Sequence, residues 1–435
     1  MPVDAPPLSS ATRAAPRLSS VAAGIVGSEI LKIAAEIRAM RDAGERVANL
    51  TVGDFDPAQF RIPRPLEDGI VAALRAGETN YPPSSGIAPL KKAVATLYER
   101  VLGLRYDAAT SVLITGGSRP GIYGTYRTLV DAGDRVVYPV PSWNNNHYCH
   151  LIGAEGVPVP CSAEQLFLPT REILSRAVRE ARLLALCSPL NPAGTAFTAD
   201  ALAGICDLVL EENVRRESLG ARPLYVLYDQ VYWMLTFGAT EHHTPVALRP
   251  EMARYTIFVD GISKAFAATG VRVGWVVGPP DVMGAMSDVL GHVGAWAPRA
   301  EQVATAAFLA DTAAVASYRT TLVAGLQSRL DAIYDGIRAM QRDGLPIEAV
   351  APMGAIYLSV RVALNGRRTP SGNVLHTNED IRRYLLQHAG VAVVPFQAFG
   401  SRDESGWFRL SVGAVSNEEI AEMMPRLREA VSGTR

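Results

Sequence analysis

The sequence predicts an α/β protein: a large domain built on a seven-stranded, mostly parallel sheet with helices on both faces, plus a smaller α+β domain. Three observations predict this. Seven short apolar runs, at 111–115, 135–140, 156–160, 183–187, 224–228, 256–259 and 274–277, alternate with helical patterns. Several are near-continuous Val, Ile or Leu, the pattern of strands buried on both faces. The chain has 435 residues, and single cores stop growing at roughly 250–300, so a second domain is expected.

Residues 1–19, rich in Pro, Ala and Ser, read as a disordered leader. Over 28–43, Ile30, Leu31, Ile33, Ala34, Ile37 and Met40 lie near helical spacing, with Gly44 as the stop. Residues 47–52 read as a strand entering the turn Gly53-Asp54-Phe55-Asp56-Pro57. After the seven-strand region, 300–343 is Ala-rich and helical in pattern, a long link to a C-terminal part. Beyond Pro352 come short strands at 355–360, 391–394 and 407–411, a loop at 365–373, and an amphipathic helix at 417–431. The expected division is 61–318 for the large domain, with 20–60 and 319–435 together forming the small one.

Hydrophobic residues are 48% and charged residues 20% of the chain, an ordinary globular balance. A net charge of −1 gives no electrostatic reason to expect nucleic acid or an anionic membrane. No apolar run is long enough to span a bilayer, and the N-terminus has no signal-peptide core. Cys149, Cys161, Cys187 and Cys206 form no CxxC pair and match no zinc or disulfide spacing, so no metal is expected. They read as small buried hydrophobes in a reducing cytoplasm.

Sheets of this kind hold ligands beyond the carboxyl ends of their strands, so the residues that follow each strand matter most. Gly116-Gly117-Ser118-Arg119-Pro120-Gly121 opens a helix after the first, and its free N–H groups suit a phosphate as well as a purely steric turn. After the second stands Trp143, either a stacking surface for a flat ligand or a lid on the core. After the fourth, Asn191 precedes Pro192, an amide for a ligand or a plain turn. Asp229 and Tyr232 follow the fifth, and an acid there is costly without a positive partner unless it caps a helix. The sixth is followed by Ser263, Lys264 and then Arg272, among small and apolar neighbours. A lysine in such a setting is a candidate for a depressed pKa and Schiff-base chemistry.

Together these residues resemble the fold-type I pyridoxal-phosphate (PLP) enzymes, specifically the class I/II aminotransferases. The densest match is Gly261-Ile-Ser263-Lys264-Ala-Phe-Ala-Ala-Thr-Gly270-Val-Arg272-Val-Gly-Trp275, in the style of the prokaryotic aspartate/aromatic/prephenate branch. The resemblance implies pyridoxal 5'-phosphate as cofactor. Lys264 would carry it as a Schiff base, with Ser263 beside it, and would move the proton during catalysis. Asp229 would pair with the pyridinium nitrogen, Tyr232 and Asn191 would bond the ring oxygen, and Trp143 would stack on the ring. Gly117, Ser118 and Arg272 would form the phosphate cup, and Tyr81 would reach the phosphate of a partner subunit. Arg409 would bind the substrate α-carboxylate beside Gly53, with Asn191 and Trp143 also facing the substrate. A homodimer with shared sites follows.

There are departures from the family. Gln230 replaces the Glu of Asp-Glu-x-Tyr, with little effect expected. Gly261 replaces a frequent hydroxyl residue, and Val394-Pro395-Phe396 replaces Val-Pro-Gly near the substrate. No arginine matches the reader of a side-chain carboxylate, and His292 and Trp296 occupy that region. The expected activity is ping-pong amino transfer between an α-amino acid and a 2-oxo acid. β-Elimination, decarboxylation or oxidation on the same cofactor is the alternative. A PLP-sensing regulator is disfavoured by the short leader, and a nicotinamide dehydrogenase by the absence of a GxGxxG turn.

Overall fold

A computed structural model describes residues 18–25, 27 and 29–435. The expectation of a disordered leader falls mainly on residues outside these. The central sheet has seven strands: β1 Val112–Thr115, β2 Arg135–Val140, β3 Glu155–Pro160, β4 Ala181–Cys187, β5 Tyr225–Asp229, β6 Thr256–Gly261 and β7 Gly274–Val277. Their order is β1-β7-β6-β5-β4-β2-β3. All neighbouring pairs are parallel except those of β7, which runs antiparallel to β1 and β6. The fold class is as the sequence predicts, and every strand lies within two residues of its predicted bounds.

The reversal of β7 matters for the site. Gly274 begins this strand and registers with Thr115 and Gly261, the last residues of β1 and β6. Arg272, just ahead of it, therefore arrives at the same sheet edge as the carboxyl ends of the parallel strands. Helices cover both faces, and the apolar residues of β2, β4, β5 and β6 alternate between the two buried clusters.

A second core gathers around a long helix and a four-stranded sheet made from Ile347–Ala349, Tyr357–Val362, Val394–Pro395 and Trp407–Ser411. The helical run expected at 300–343 is two helices, Arg299–Ala310 and Thr312–Arg342. Asp311 separates them, because its side chain accepts from the Ala314 N–H at 2.9 Å and restarts the helix as an N-cap. The strand expected at 391–394 is also split. Val391–Ala392 pairs parallel with Ala48–Asn49, while Val394–Pro395 pairs antiparallel with Trp407–Ser411. The strand expected at 47–52 shrinks to Ala48–Asn49. A helix at Ser20–Gly24 rests on the large-sheet side, where His150 Nε2 meets Val21 O at 2.8 Å. Among the described residues, no helix is long and apolar enough to cross a membrane.

Candidate active site

The turn after β1 passes Gly116 and Gly117 into α1, Ser118–Leu129, and no side chain caps that helix start. Its first N–H groups have no partner within the helix. Gly117 has φ +90°, and a Cβ there would stand 2.1 Å from Arg272 Nη2, so only glycine lets the guanidinium in. Arg272 itself has φ +61°, a strained conformation for a non-glycine residue. Its Nη1 donates to Thr269 O at 2.6 Å and its Nη2 to Gly116 O at 3.0 Å. No acidic side chain among the described residues pairs with it.

Lys264 lies in the helical turn Ile262–Ala265 at the end of β6. Its Nζ donates to Gly53 O, from the N-terminal segment. Burial lowers its pKa to about 8; the Asp54 charge opposes this, and Arg409, Arg119 and Arg272 reinforce it. The amine is therefore far easier to deprotonate than an ordinary lysine. Gly53 is needed there, since a Cβ would lie 2.8 Å from the Tyr357 hydroxyl.

Asp229 ends β5 and is half-buried. One oxygen accepts from the Val231 N–H at 3.2 Å. Burial pushes its pKa up to about 6, against that bond and the Lys264 charge. No cationic side chain among the described residues forms an ion pair with it.

Arg409 is 1% exposed, yet it too has no acidic partner among the described residues. Nη1 donates to Asn191 Oδ1 at 3.0 Å and Nη2 to Thr51 O at 2.5 Å, while Nε has no partner. Its charge lies 4.5 Å from the ring centre of Tyr357 and 4.8 Å from that of Phe399. Phe396, the departure from Val-Pro-Gly, begins the short turn Phe396–Phe399 and packs on Phe167 and Trp407, so the turn presents Phe399 to Arg409.

The predicted strand-end residues Gly117, Asn191, Asp229, Tyr232, Lys264 and Arg272 thus share one sheet edge, and Gly53 and Arg409 face them. Ser118 is half-buried in the first turn of α1, and Ser263 is buried beside Lys264. Tyr232 meets Tyr357, hydroxyl to hydroxyl, at 2.7 Å. Trp143 carries the Arg119 guanidinium 4.6 Å from its ring centre. Tyr81 stands apart: it is 83% exposed, edge-on to Trp296 with ring centres 5.6 Å apart. His292, in the same 291–298 segment as Trp296, is exposed.

Sequence reasoning assigned no role to Tyr357, Thr51, Asp54, Arg119 or Phe399. Arg119 carried the one available signal, a cation inside the Gly-rich turn. Gln230 is fully buried and donates to Tyr98 Oη at 3.0 Å, and Tyr98 in turn donates to Asp260 at 3.3 Å. It belongs to a polar network beneath the site.

The arrangement can be tested against pyridoxal phosphate. That molecule presents a phosphate, a protonatable ring nitrogen and an aldehyde. The residues offer Arg272 with open helix N–H groups, a carboxylate without a counter-ion, and an amine that deprotonates near neutral pH. The buried Arg409, without an acidic partner among the described residues, is left over for a carboxylate. The donor set fits the cofactor and an amino acid.

A model of the family described as "Aminotransferase class I and II" matches residues 45–427. The aspartate aminotransferase of Rhizobium meliloti (strain 1021) is 32% identical over 419 residues, spanning 96% of this chain and 95% of the relative. The crystal structure of the Rhizobium meliloti aspartate aminotransferase superposes with a TM-score of 0.86 at 29% identity, over 96% of this chain and all of the other. That of Thermus thermophilus aspartate aminotransferase with maleate gives 0.83 at 26% identity, over 95% and 99%.

Proposed function

The chain belongs to the class I and II aminotransferases and is a PLP-dependent enzyme of amino-group transfer, and from that premise we propose how its residues divide the work. The reaction is ping-pong, between an α-amino acid and a 2-oxo acid. The observation that carries this reading is the depressed Lys264 amine beside one unpaired carboxylate and two unpaired guanidinium groups.

When bound, pyridoxal phosphate supplies the aldehyde that captures the amino group and the ring that accepts the electrons left at Cα. Gly117, Ser118 and Arg272 hold its phosphate, with Arg272 as the charged clamp. Asp229 would hold a proton on the ring nitrogen, because a cation there would give the half-buried carboxylate the counter-ion it lacks. Trp143 would offer a face to its ring, and Tyr232 and the Asn191 amide N–H would donate to the ring oxygen. Arg409 keeps the Asn191 oxygen occupied, which leaves that N–H free. Lys264 would hold the cofactor through its Nζ, and the same amine would serve as the base that moves the substrate's Cα proton. Arg409 grips the α-carboxylate with a fork that lysine cannot copy, while Gly53 keeps the wall beside Cα open.

The donor that gives the relatives their name is aspartate, and the Thermus structure holds maleate. In this chain Arg119, with no ion pair among the described residues, is the cation we assign to a side-chain carboxylate. The protein works as a homodimer in which Tyr81 crosses to the partner's phosphate. Residues 61–318 form the large domain and 20–60 with 319–435 the small one. Four unpaired cysteines suit the cytoplasm.

A half-reaction screen tests the reading. Each amino acid in turn is added to the holoenzyme, and loss of the bound cofactor's absorbance is followed together with oxo-acid formation. One oxo acid per site, reversed by adding an oxo acid, is expected. Release of ammonia or CO2 with no need for an oxo acid would favour the lyase or decarboxylase alternative.

A further inference from the structure

Tyr357 opens the small-sheet strand Tyr357–Val362 and is 1% exposed. By pattern it is a core aromatic, but three functional groups converge on it. Its hydroxyl lies 2.7 Å from the Tyr232 hydroxyl. The Arg409 guanidinium rests 4.5 Å from its ring centre. The Gly53 backbone passes so close that an added Cβ would stand 2.8 Å from the hydroxyl, and Gly53 O is the acceptor for Lys264 Nζ. A phenylalanine would fill the same space and keep the cation–ring contact. The bond to Tyr232 is what the hydroxyl adds.

The direction of that bond follows from the surroundings. Of two phenols that share a hydrogen bond, the more acidic one donates. Burial raises both, but Arg409 is the foremost influence pulling Tyr357 back. At Tyr232 the neighbouring Tyr357 adds to the rise, and Arg409 is the smallest influence. Either hydroxyl can donate on geometry alone; the Arg409 charge, 4.5 Å from the Tyr357 ring centre, favours Tyr357 as the donor, which leaves the Tyr232 proton to point onward.

We propose that Tyr357 is a positioning residue that donates to the Tyr232 oxygen, and so orients and strengthens the bond Tyr232 makes to the ring oxygen of bound pyridoxal phosphate. This rests on the assignment of Tyr232 given above. Chains of hydrogen bonds polarise one another, and a buried chain does so strongly. A donor at the ring oxygen draws off negative charge and lowers the proton affinity of the Lys264 nitrogen joined to the cofactor. The two hydroxyls together then set the pH at which the bound cofactor changes colour. The relay also ties the large domain, through Tyr232, to the strand that backs the carboxylate-binding Arg409.

The test is a spectrophotometric pH titration of the holoenzyme, read without turnover, in wild type, Tyr232→Phe, Tyr357→Phe and the double variant. The midpoint should rise in Tyr232→Phe. In Tyr357→Phe it should rise by a smaller amount, up to about one pH unit. The double variant should match Tyr232→Phe alone, because one residue acts through the other. A wild-type midpoint in Tyr357→Phe, with Tyr232→Phe shifted, overturns the relay and leaves the Tyr232 assignment standing. Additive shifts overturn it as well. An unmoved midpoint in Tyr232→Phe removes both the assignment and the relay. A second variant guards against a packing effect: Tyr357→Leu, which also loses the ring beneath Arg409, should raise KM for the amino acid, whereas Tyr357→Phe should not. An equal rise in both would put the hydroxyl itself in substrate binding rather than in orienting Tyr232, and overturn the proposal.

Discussion

Arg409 Nη1 donates to Asn191 Oδ1 at 3.0 Å, joining the last strand of the small sheet to the turn that follows β4 of the large one. The guanidinium is buried, yet its bonds are to an amide, a carbonyl and two ring faces rather than to an acid. Burial lowers its pKa, and only the two nearby tyrosines oppose the shift. A charge left in this state is costly unless a ligand completes it. With Arg409 in the proposed role, substrate binding would be coupled to the seam between the two cores.

The first prediction concerns that charge. Arg409→Lys keeps a cation but loses the planar fork. Charge-assisted bonds are worth about 1.5–3 kcal/mol each, so KM for amino and oxo acids should rise roughly tenfold to a hundredfold. Amines that lack a carboxylate should be nearly unaffected. Equal losses for both kinds of substrate would make Arg409 a structural residue.

The second concerns Lys264. Borohydride reduction of the holoenzyme should fix the cofactor to the peptide that contains Lys264 and to no other lysine. Lys264→Ala should lose turnover by several orders of magnitude while still holding the cofactor. The pH dependence has a definite sign. An amine with its pKa lowered to about 8 becomes neutral, and nucleophilic, as pH rises through that value. Covalent capture of pyridoxal phosphate by the apoenzyme should accelerate with pH and level off above about 8. A rate still climbing toward the ordinary lysine range, about 10.4, would contradict the burial seen here.

Much of this was legible because buried parallel strands are written as near-continuous apolar runs, and the groups of interest stand just past them. Asp229, Lys264 and Arg272 were found by reading strand ends. Tyr357 was not, since a tyrosine opening an apolar strand reads as core; only the approach of Tyr232, Arg409 and Gly53 distinguishes it. The split of 391–394 was hidden for a similar reason: local pattern says that residues extend, not which sheet receives them. The break at Asp311 did leave a trace, an Asp ahead of Thr-Ala-Ala, but the Ala-rich periodicity on both sides masked the cap. Gln230 was expected to have little effect, and its burial in the Tyr98–Asp260 network could not be read from a single position.

The third prediction concerns Asp229. Its half-buried carboxylate gains a counter-ion only when the ring nitrogen is protonated, and an opposite charge within about 4–6 Å shifts a pKa by units. Asp229→Asn should weaken cofactor binding and slow Cα proton removal by at least about tenfold, measured as a half-reaction with Cα-deuterated amino acid. Unchanged half-reaction rates would take Asp229 out of the role.

A fourth addresses the side chain of the substrate. Arg119 rests on Trp143 without an acidic partner. Arg119→Gln should raise KM for aspartate by about tenfold and leave that for alanine near its wild-type value, as expected of a single exposed charge contact. If cofactor affinity falls instead and both amino acids suffer alike, Arg119 serves the phosphate.

The last prediction is that active sites are shared across a two-fold dimer. Tyr81 is 83% exposed, touching Trp296 edge-on, and nothing in its own chain satisfies its hydroxyl among the described residues. An isologous dimer would have both sites borrow the same residue, and a hydroxyl on the partner's phosphate would contribute about 1.5–3 kcal/mol. Subunit mixing separates this from a role within one chain. Tyr81→Phe subunits are combined with Lys264→Ala subunits, and each parent is assayed alone. If Tyr81 acts across the interface, one site of every mixed dimer has an intact Lys264 and receives Tyr81 from its neighbour, so activity returns above the sum of the parents. If Tyr81 acts within its own chain, each site of the mixed dimer keeps one defect and nothing returns. A fully active monomer in sedimentation would reject the shared site outright.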